Sequence, residues 1–232
     1  MSYQYSYLIL GILFLIIWFI LFIWRKDIRK EMLFMSLLFG FAGLLAEIAY
    51  INDWWTPLTI TNTSIGIEDF LFGFVVGGIA SVIYEEIFKK KIRIRRRTKK
   101  KKNRKDIRFV FFVLIFAILS FGSHYIFKTN TFISSLIAFG SGIIYIYIRR
   151  KDLIIDSLVS GFLLLGISLI VYSILELITP GWIQAFWHFK NIPNLIIFNV
   201  PIDDFIWYFF AGAFIGPLYE YWQEGKLINT KN

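Results

Sequence analysis

Apolar residues run through this chain in long blocks broken by short polar interruptions, and the blocks have the length of a bilayer crossing. A spanning helix needs about 20 mostly apolar residues. Seven stretches qualify: 7 to 24, 32 to 51, 65 to 88, 107 to 127, 131 to 148, 153 to 178 and 200 to 222. The pattern predicts an all-α integral membrane protein with seven transmembrane helices. These helices take up most of the 232 residues, which leaves no room for a sizeable soluble domain. The first block, "YLILGILFLIIWFILFIW", is too long for a signal-peptide core and has no small-residue cleavage site, so it is expected to remain as a helix.

Two of the blocks are related. "SIGIEDFLFGFVVGGIASVIYEE" (64 to 86) and "NVPIDDFIWYFFAGAFIGPLYEYW" (199 to 222) align without a gap at an offset of 135. Ile67, Asp69, Phe70, Phe74, Gly77, Tyr84 and Glu85 recur as Ile202, Asp204, Phe205, Phe209, Gly212, Tyr219 and Glu220. Upstream, "RKDIRKE" (25 to 31) recurs as "RKDLIID" (150 to 156), with Lys26, Asp27 and Glu31 matching Lys151, Asp152 and Asp156. The first three helices therefore correspond to the last three. An even number of crossings separates the units, so both run in the same direction and the fourth helix links them. The expected architecture is a 3+1+3 parallel repeat: a first three-helix unit in 1–92, a basic cytoplasmic loop and linker helix in 93–130, and a second unit in 131–232.

Composition agrees, with 57% hydrophobic and 20% aromatic residues. Charge adds an orientation. A net charge of +9 and the run "KKKIRIRRRTKKKKNRK" at 89–105 would suit nucleic acid if taken alone. With seven crossings, however, 23 of the 25 Lys and Arg fall on one side of the membrane, all but Lys128 and Lys190. The positive-inside rule makes that side cytoplasmic, with the N-terminus outside and the C-terminus inside. The basic run then reads as a topology signal that attracts anionic lipid, at about 1 kcal/mol per residue, and not as a nucleic-acid site.

Candidate chemistry lies in the carboxylates. Each third helix opens with an acidic pair, Glu68 with Asp69 and Asp203 with Asp204. Acids in a first turn face the positive end of the helix dipole, and Pro201 suits a first helical position, so capping is the simplest explanation. One acid would suffice for a cap. Helical steps from Asp69 lead through Gly73, Gly77 and Ala80, and from Asp204 through Tyr208, Ala211 and Gly212. Small-residue faces pack helix on helix, so the second acid of each pair is expected to point inward. Glu47 ends a stripe with Gly40 and Gly43, and Glu176 ends one with Gly161, Ser168 and Tyr172. Neither has a cation within a turn, and ionisable groups inside a bundle are functional candidates by default.

Other residues suggest simpler roles. Glu85 and Glu86 precede Lys89 and Lys90 by four positions and read as solvated ion pairs, with Glu220 expected to face the same basic loops. Trp54, Trp55, Trp182 and Trp187 read as an aromatic belt at the outer surface. Two histidines and no cysteine give no convincing metal site, and GxSxG, HExxH, P-loop and dinucleotide fingerprints are missing. A retinal protein is excluded because 200 to 222 contains no lysine.

The acidic pairs and their surroundings resemble the heterodimeric or fused lycopene cyclases of the carotenoid pathway. In that family the third helix of each three-helix unit opens with Pro, an apolar residue, Glu, then Glu or Asp. The corresponding residues here are Gly66, Ile67, Glu68 and Asp69, then Pro201, Ile202, Asp203 and Asp204, so Gly replaces Pro once and Asp replaces Glu once. "INDWWTP" (51 to 57) and "TPGW" (179 to 182) look like the family's Trp-containing outer loops. The resemblance implies redox-neutral cyclisation of a linear carotenoid or isoprenoid end group, with no cofactor. An acid protonates an alkene, the carbocation closes a six-membered ring, and a base removes a proton. The acid and base would come from Glu68, Asp69, Asp203 and Asp204, supported by Glu47 and Glu176. The family motif favours the first acid of each pair, the helical faces the second. Implied partners are membrane lipid and an apolar polyene.

The alternative class is a non-enzymatic seven-helix protein, either a small-molecule transporter or a lipid-binding scaffold. Pro57, Pro180, Pro193 and Pro201 lie in outer loops or at a helix start, and only Pro217 falls inside a helix, which weighs against a transporter path. Nothing in the sequence specifies an oligomeric state. The charge split makes one prediction: single cysteines at Thr98 and Thr61 should react with an impermeant reagent from opposite sides of the membrane. Reaction from the same side contradicts the topology.

Overall fold

A computed structural model describes residues 3–94, 98–189 and 195–230; Lys190, Pro193, Lys231 and Arg95, Arg96 and Arg97 of the basic run lie outside them. The chain folds into α1 (Ser6–Trp24), α2 (Arg29–Tyr50), α3 (Ile67–Ile87), α4 (Lys99–Tyr125), α5 (Thr131–Arg149), α6 (Ile154–Ile178), α7 (Trp182–Phe186), α8 (Ile202–Ile215) and α9 (Leu218–Gln223). Strand β1 (Lys90–Arg93) pairs antiparallel with β4 (Lys226–Asn229), and β2 (Ile196–Ile197) pairs with β3 (Val200–Pro201).

Six helices are long and apolar enough to cross a membrane: α1, α2, α3, α4 from Lys101, α5, and α6 with the turn that leads into it from Lys151. Their outward faces expose Ile16, Phe19, Phe41, Ile118, Phe162 and Leu177. A soluble monomer rarely leaves so much apolar surface in water, whereas lipid covers it. The protein is an all-helical membrane protein.

The structure departs from the sequence pattern at two helices. α4 begins at Lys99 and not near 107, because Lys and Arg are good helix formers and nothing in that run breaks the helix. Of the described residues in the basic stretch, Lys90–Arg93 form β1 and those from 99 to 105 open α4. The last apolar block is broken at Gly216–Pro217 into α8 and α9. Pro217 has no N–H for the Ala213 carbonyl, and the Ser157 hydroxyl of α6 donates to that oxygen instead, at 2.5 Å.

Backbone contact between glycines sets the packing. α3 is the central helix, with Val75, Val76, Ile79, Ala80 and Val82 all buried. Its closest partner is α2, as α6 is that of α8. A Cβ at Gly43 would sit 2.6 Å from the Asp69 carbonyl oxygen, and one at Gly212 would sit 2.7 Å from the Ser160 carbonyl oxygen. Such separations allow only a hydrogen at the crossing point. The small-residue faces in the sequence thus bring α3 against α2 and α8 against α6.

The helix ends on the side of the basic run, labelled inner for reference and the opposite ends outer, repeat one arrangement. Arg25 binds both oxygens of Asp27, at 3.1 and 2.7 Å, and Arg150 binds both oxygens of Asp152, at 2.8 Å each. The hydrogen-bonded Arg25 guanidinium holds the Asp27 carboxyl below its usual range. Each arginine also reaches a helix end: Arg25 Nη1 donates to the Glu85 carbonyl at 2.7 Å and Arg150 Nη1 to the Glu220 carbonyl at 3.2 Å.

Glu85 itself is not a solvated ion pair. It is buried beside the equally buried Glu220, and neither carboxyl group pairs with a Lys or Arg among the described residues. The helical spacing that would join Glu85 and Glu86 to Lys89 and Lys90 is lost because α3 ends at Ile87, Lys89 has a positive φ of 50°, and Lys90 enters β1. Lys90 Nζ donates to Asn229 Oδ1 at 2.6 Å, while Glu86 lies 3.9 Å from Arg25.

Gly212→Ala and Gly43→Ala should each destabilise the protein by about 1–3 kcal/mol, the usual effect of overpacking. Gly166→Ala, where a Cβ meets nothing within 4 Å, should be neutral or slightly stabilising. Unfolding in mixed micelles measures all three. Equal effects would contradict the glycine crossings.

Candidate functional site

The carboxylates at the outer end of the bundle are held by different partners, and those partners separate them into two groups. Asp69 accepts from the Gly66 N–H at 2.7 Å through one oxygen, closing the first turn of α3, and from the Tyr7 hydroxyl of α1 at 2.7 Å through the other. Asp204 accepts from the Tyr172 hydroxyl of α6 at 2.7 Å and from the Trp187 indole at 3.3 Å. Glu47, near the end of α2, accepts from the Trp55 indole at 3.2 Å through Oε2, while its Oε1 is buried and has no hydrogen-bond partner among the described residues. All three side chains are buried, and none pairs with a Lys or Arg among the described residues.

These three acids line one cavity of about 330 Å³. Its walls are aromatic: Tyr7, Phe72, Trp207 and Tyr208 from α1, α3 and α8, with Trp54, Trp55 and Trp187 from the outer loops. Toward α4 it is bordered by Ala117, Ser120, Phe121 and His124. On α2 it reaches Phe41 and Leu45, which are exposed on the apolar outer face. The lining thus runs from buried carboxylates to side chains exposed on the apolar face of α2, with α4 along one side.

Glu68, Asp203 and Glu176 lie outside this lining. Glu68 is buried and accepts from the Ile60 N–H at 2.7 Å, which fixes the loop between α2 and α3. Asp203 accepts from the Asp204 N–H at 3.0 Å, inside the first turn of α8. Glu176 is half-buried and accepts from the Gly181 N–H at 2.8 Å, tying the end of α6 to the start of α7. In each acidic pair the second residue faces the cavity and the first holds backbone.

The four outer tryptophans are not a lipid-facing belt, since all are buried. The two outer loops fold inward and join, with Trp55 paired to Trp187 as an antiparallel bridge. Thr56 N–H donates to the Phe186 carbonyl at 3.0 Å, and His188 N–H to the Trp54 carbonyl at 2.9 Å. The Trp55 and Trp187 rings lie 5.0 Å apart, and Trp182 packs 5.1 Å from Trp187. This pairing roofs the cavity.

Tyr7, Tyr172 and Tyr208 were not singled out as site residues by the sequence. A signal existed for Tyr172. The offset of 125 that aligns Glu31 with Asp156 also aligns Glu47 with Tyr172, so α2 and α6 carry an acceptor and a donor at equivalent positions. Glu176 lies one turn beyond that position.

An apolar helical bundle with buried acids gathered under an aromatic roof defines a polytopic membrane protein with an internal cavity lined by carboxyl groups and aromatic rings. A family model described as lycopene cyclase matches residues 4–87 and 128–222. The chain belongs to the lycopene cyclase family. The unmatched segment between the two matches holds β1, the basic run and all of α4. No curated protein and no solved structure matches the chain.

Proposed function

We propose that this lycopene cyclase-family membrane protein closes a ring at the end of a linear carotenoid or related isoprenoid by acid–base chemistry, in the cavity that Glu47, Asp69 and Asp204 share. The observation that carries the proposal is the convergence of three carboxyl groups, unpaired with Lys or Arg among the described residues, in an aromatic cavity whose lining reaches the exposed apolar face of α2. An apolar chain enters between α2 and α4 past Phe41 and Leu45. A cavity of about 330 Å³ takes an end group and leaves the rest of a long polyene in lipid.

The reaction needs one proton delivered to a terminal alkene carbon and one removed from the ring after closure, with no change in oxidation state. Glu47 suits the acid, because Oε1 has no partner to satisfy and can present a proton to the substrate. Asp69 and Asp204 each accept two hydrogen bonds, the pattern of a carboxylate. They suit the base and the counter-charge to the carbocation, and the indole and phenol faces add cation–π attraction. Glu68, Asp203 and Glu176 act as positioning residues through the backbone they hold. The bundle is a 3+1+3 parallel repeat in which α8 and α9 together make the seventh crossing. Its inner end is cytoplasmic, and the basic run at 89–105 lies against anionic lipid.

The test is expression in a lycopene-producing host with analysis of the carotenoids. The wild type should yield a cyclic product. General acid–base groups contribute about 10²- to 10⁴-fold, so Glu47→Gln, Asp69→Asn and Asp204→Asn should each lower the yield at least that much without loss of folded protein. Unchanged lycopene with folded, membrane-inserted wild type would favour a non-enzymatic lipid-binding or transport role.

A further inference from the structure

A second group of acids lies at the opposite end of the bundle, and the proposed cyclisation makes no use of it. Glu31 in the first turn of α2, Glu85 in the last turn of α3 and Glu220 on α9 each place a carboxylate oxygen within 4.8 Å of the other two. They are 2%, 0% and 0% exposed. Apart from the three carboxyl groups' contacts with one another, no oxygen of theirs has a hydrogen-bond partner among the described residues. Asp156, at the start of α6 and 1% exposed, stands beside them, with one oxygen on the Ser160 hydroxyl at 3.2 Å and the other unpartnered. The nearby cations are engaged elsewhere: Arg25 and Arg150 bind Asp27 and Asp152 and touch Glu85 and Glu220 only at their backbone carbonyls.

Buried carboxylates with unpaired oxygens are expensive unless something positive sits among them. Among the described residues no Lys or Arg pairs with the four acids. Three points separated by at most 4.8 Å always have a centre within about 2.8 Å of each, and hard divalent cations bind oxygen at about 2.0–2.6 Å. Only carboxylate oxygen is offered, without imidazole or thiolate, which selects Mg²⁺, Mn²⁺ or Ca²⁺ over zinc or copper.

We infer that Glu31, Glu85 and Glu220, with Asp156 alongside, form a binding site for one hard divalent cation at the inner end of the bundle. The acids come from both halves of the chain. Glu31 aligns with Asp156 and Glu85 with Glu220 in the sequence repeats, so one ion clamps α2 and α3 to α6 and α9. The ion is structural. It stands apart from the outer cavity, whose lining includes none of the four acids.

Mn²⁺ is the probe. The full chain, purified in mild detergent and stripped with EDTA, should take up about one Mn²⁺ per chain and unfold at a higher temperature with it. Glu85→Gln/Glu220→Gln and, separately, Glu31→Gln should bind at least 100-fold more weakly and lose the thermal shift. Because the chain has no cysteine, the site can also be located in otherwise wild-type protein through nitroxides at Lys226→Cys in β4 or Thr61→Cys in the outer loop. Bound Mn²⁺ should strongly broaden the label at position 226 and leave that at 61 little affected, about 30 Å away along a helix of this length. Three results would overturn the inference: no Mn²⁺ uptake with unfolding indifferent to EDTA, tight uptake kept by the variants, or broadening at position 61. The first would mean that the acids share protons only.

Discussion

The structure depends on keeping carboxyl groups buried in an apolar bundle where, among the described residues, no Lys or Arg pairs with them. At the outer end, hydroxyl, indole and backbone N–H donors do this. Tyr7 and the Gly66 amide serve Asp69, Tyr172 and Trp187 serve Asp204, and Trp55 serves Glu47. Apart from the Gly66 amide, which closes the first turn of Asp69's own helix, each donor comes from another helix or from an outer loop, so satisfying the acids fixes α1, α6 and both outer loops around the cavity. Removing a donor would leave a buried acceptor unpaired, which costs about 1–3 kcal/mol and more for a charged group. The aromatic roof is therefore also the hydrogen-bond supply of the site.

That arrangement requires close helices, and the glycines provide them. Gly43 and Gly73 let α2 and α3 touch along their backbones, as Gly161 and Gly212 do for α6 and α8. The acids at the ends of these helices are brought together mainly by this backbone approach, to which the Ser157 hydroxyl of α6 adds a hydrogen bond to the Ala213 carbonyl of α8. The inner end uses a different solution, with Arg25 and Arg150 each bound to an aspartate and to a helix terminus, leaving four acids enclosed between them.

Much of this was legible in the chain. Apolar block length located six membrane-length helices closely, since that property depends only on composition and on the thickness of a bilayer. The small-residue stripes pointed Asp69 and Asp204 inward, because helical periodicity fixes which side chains share a face. What escaped notice was non-local. The donors Tyr7 and Trp187 lie 62 and 17 residues from the acids they bind, and no spacing rule links them. Glu85 looked like half of a helical ion pair because the pattern extends to Lys89, yet the helix stops two residues short of it. Trp55 and Trp187 looked like a lipid belt because the pairing of their loops crosses from one half of the chain to the other. The break at Pro217 was foreseeable, but its repair by the Ser157 hydroxyl was not.

The central claim is that ring closure proceeds by protonation from a buried carboxyl group and loss of a proton to another, without hydride transfer. Cyclisation carried out in D₂O by membranes containing the protein, followed by mass spectrometry of the carotenoid, measures this directly. The account predicts one deuterium retained per ring closed, because the delivered proton exchanges with solvent and stays on carbon while a different hydrogen is lost. A cyclic product of unchanged isotopic mass would contradict it.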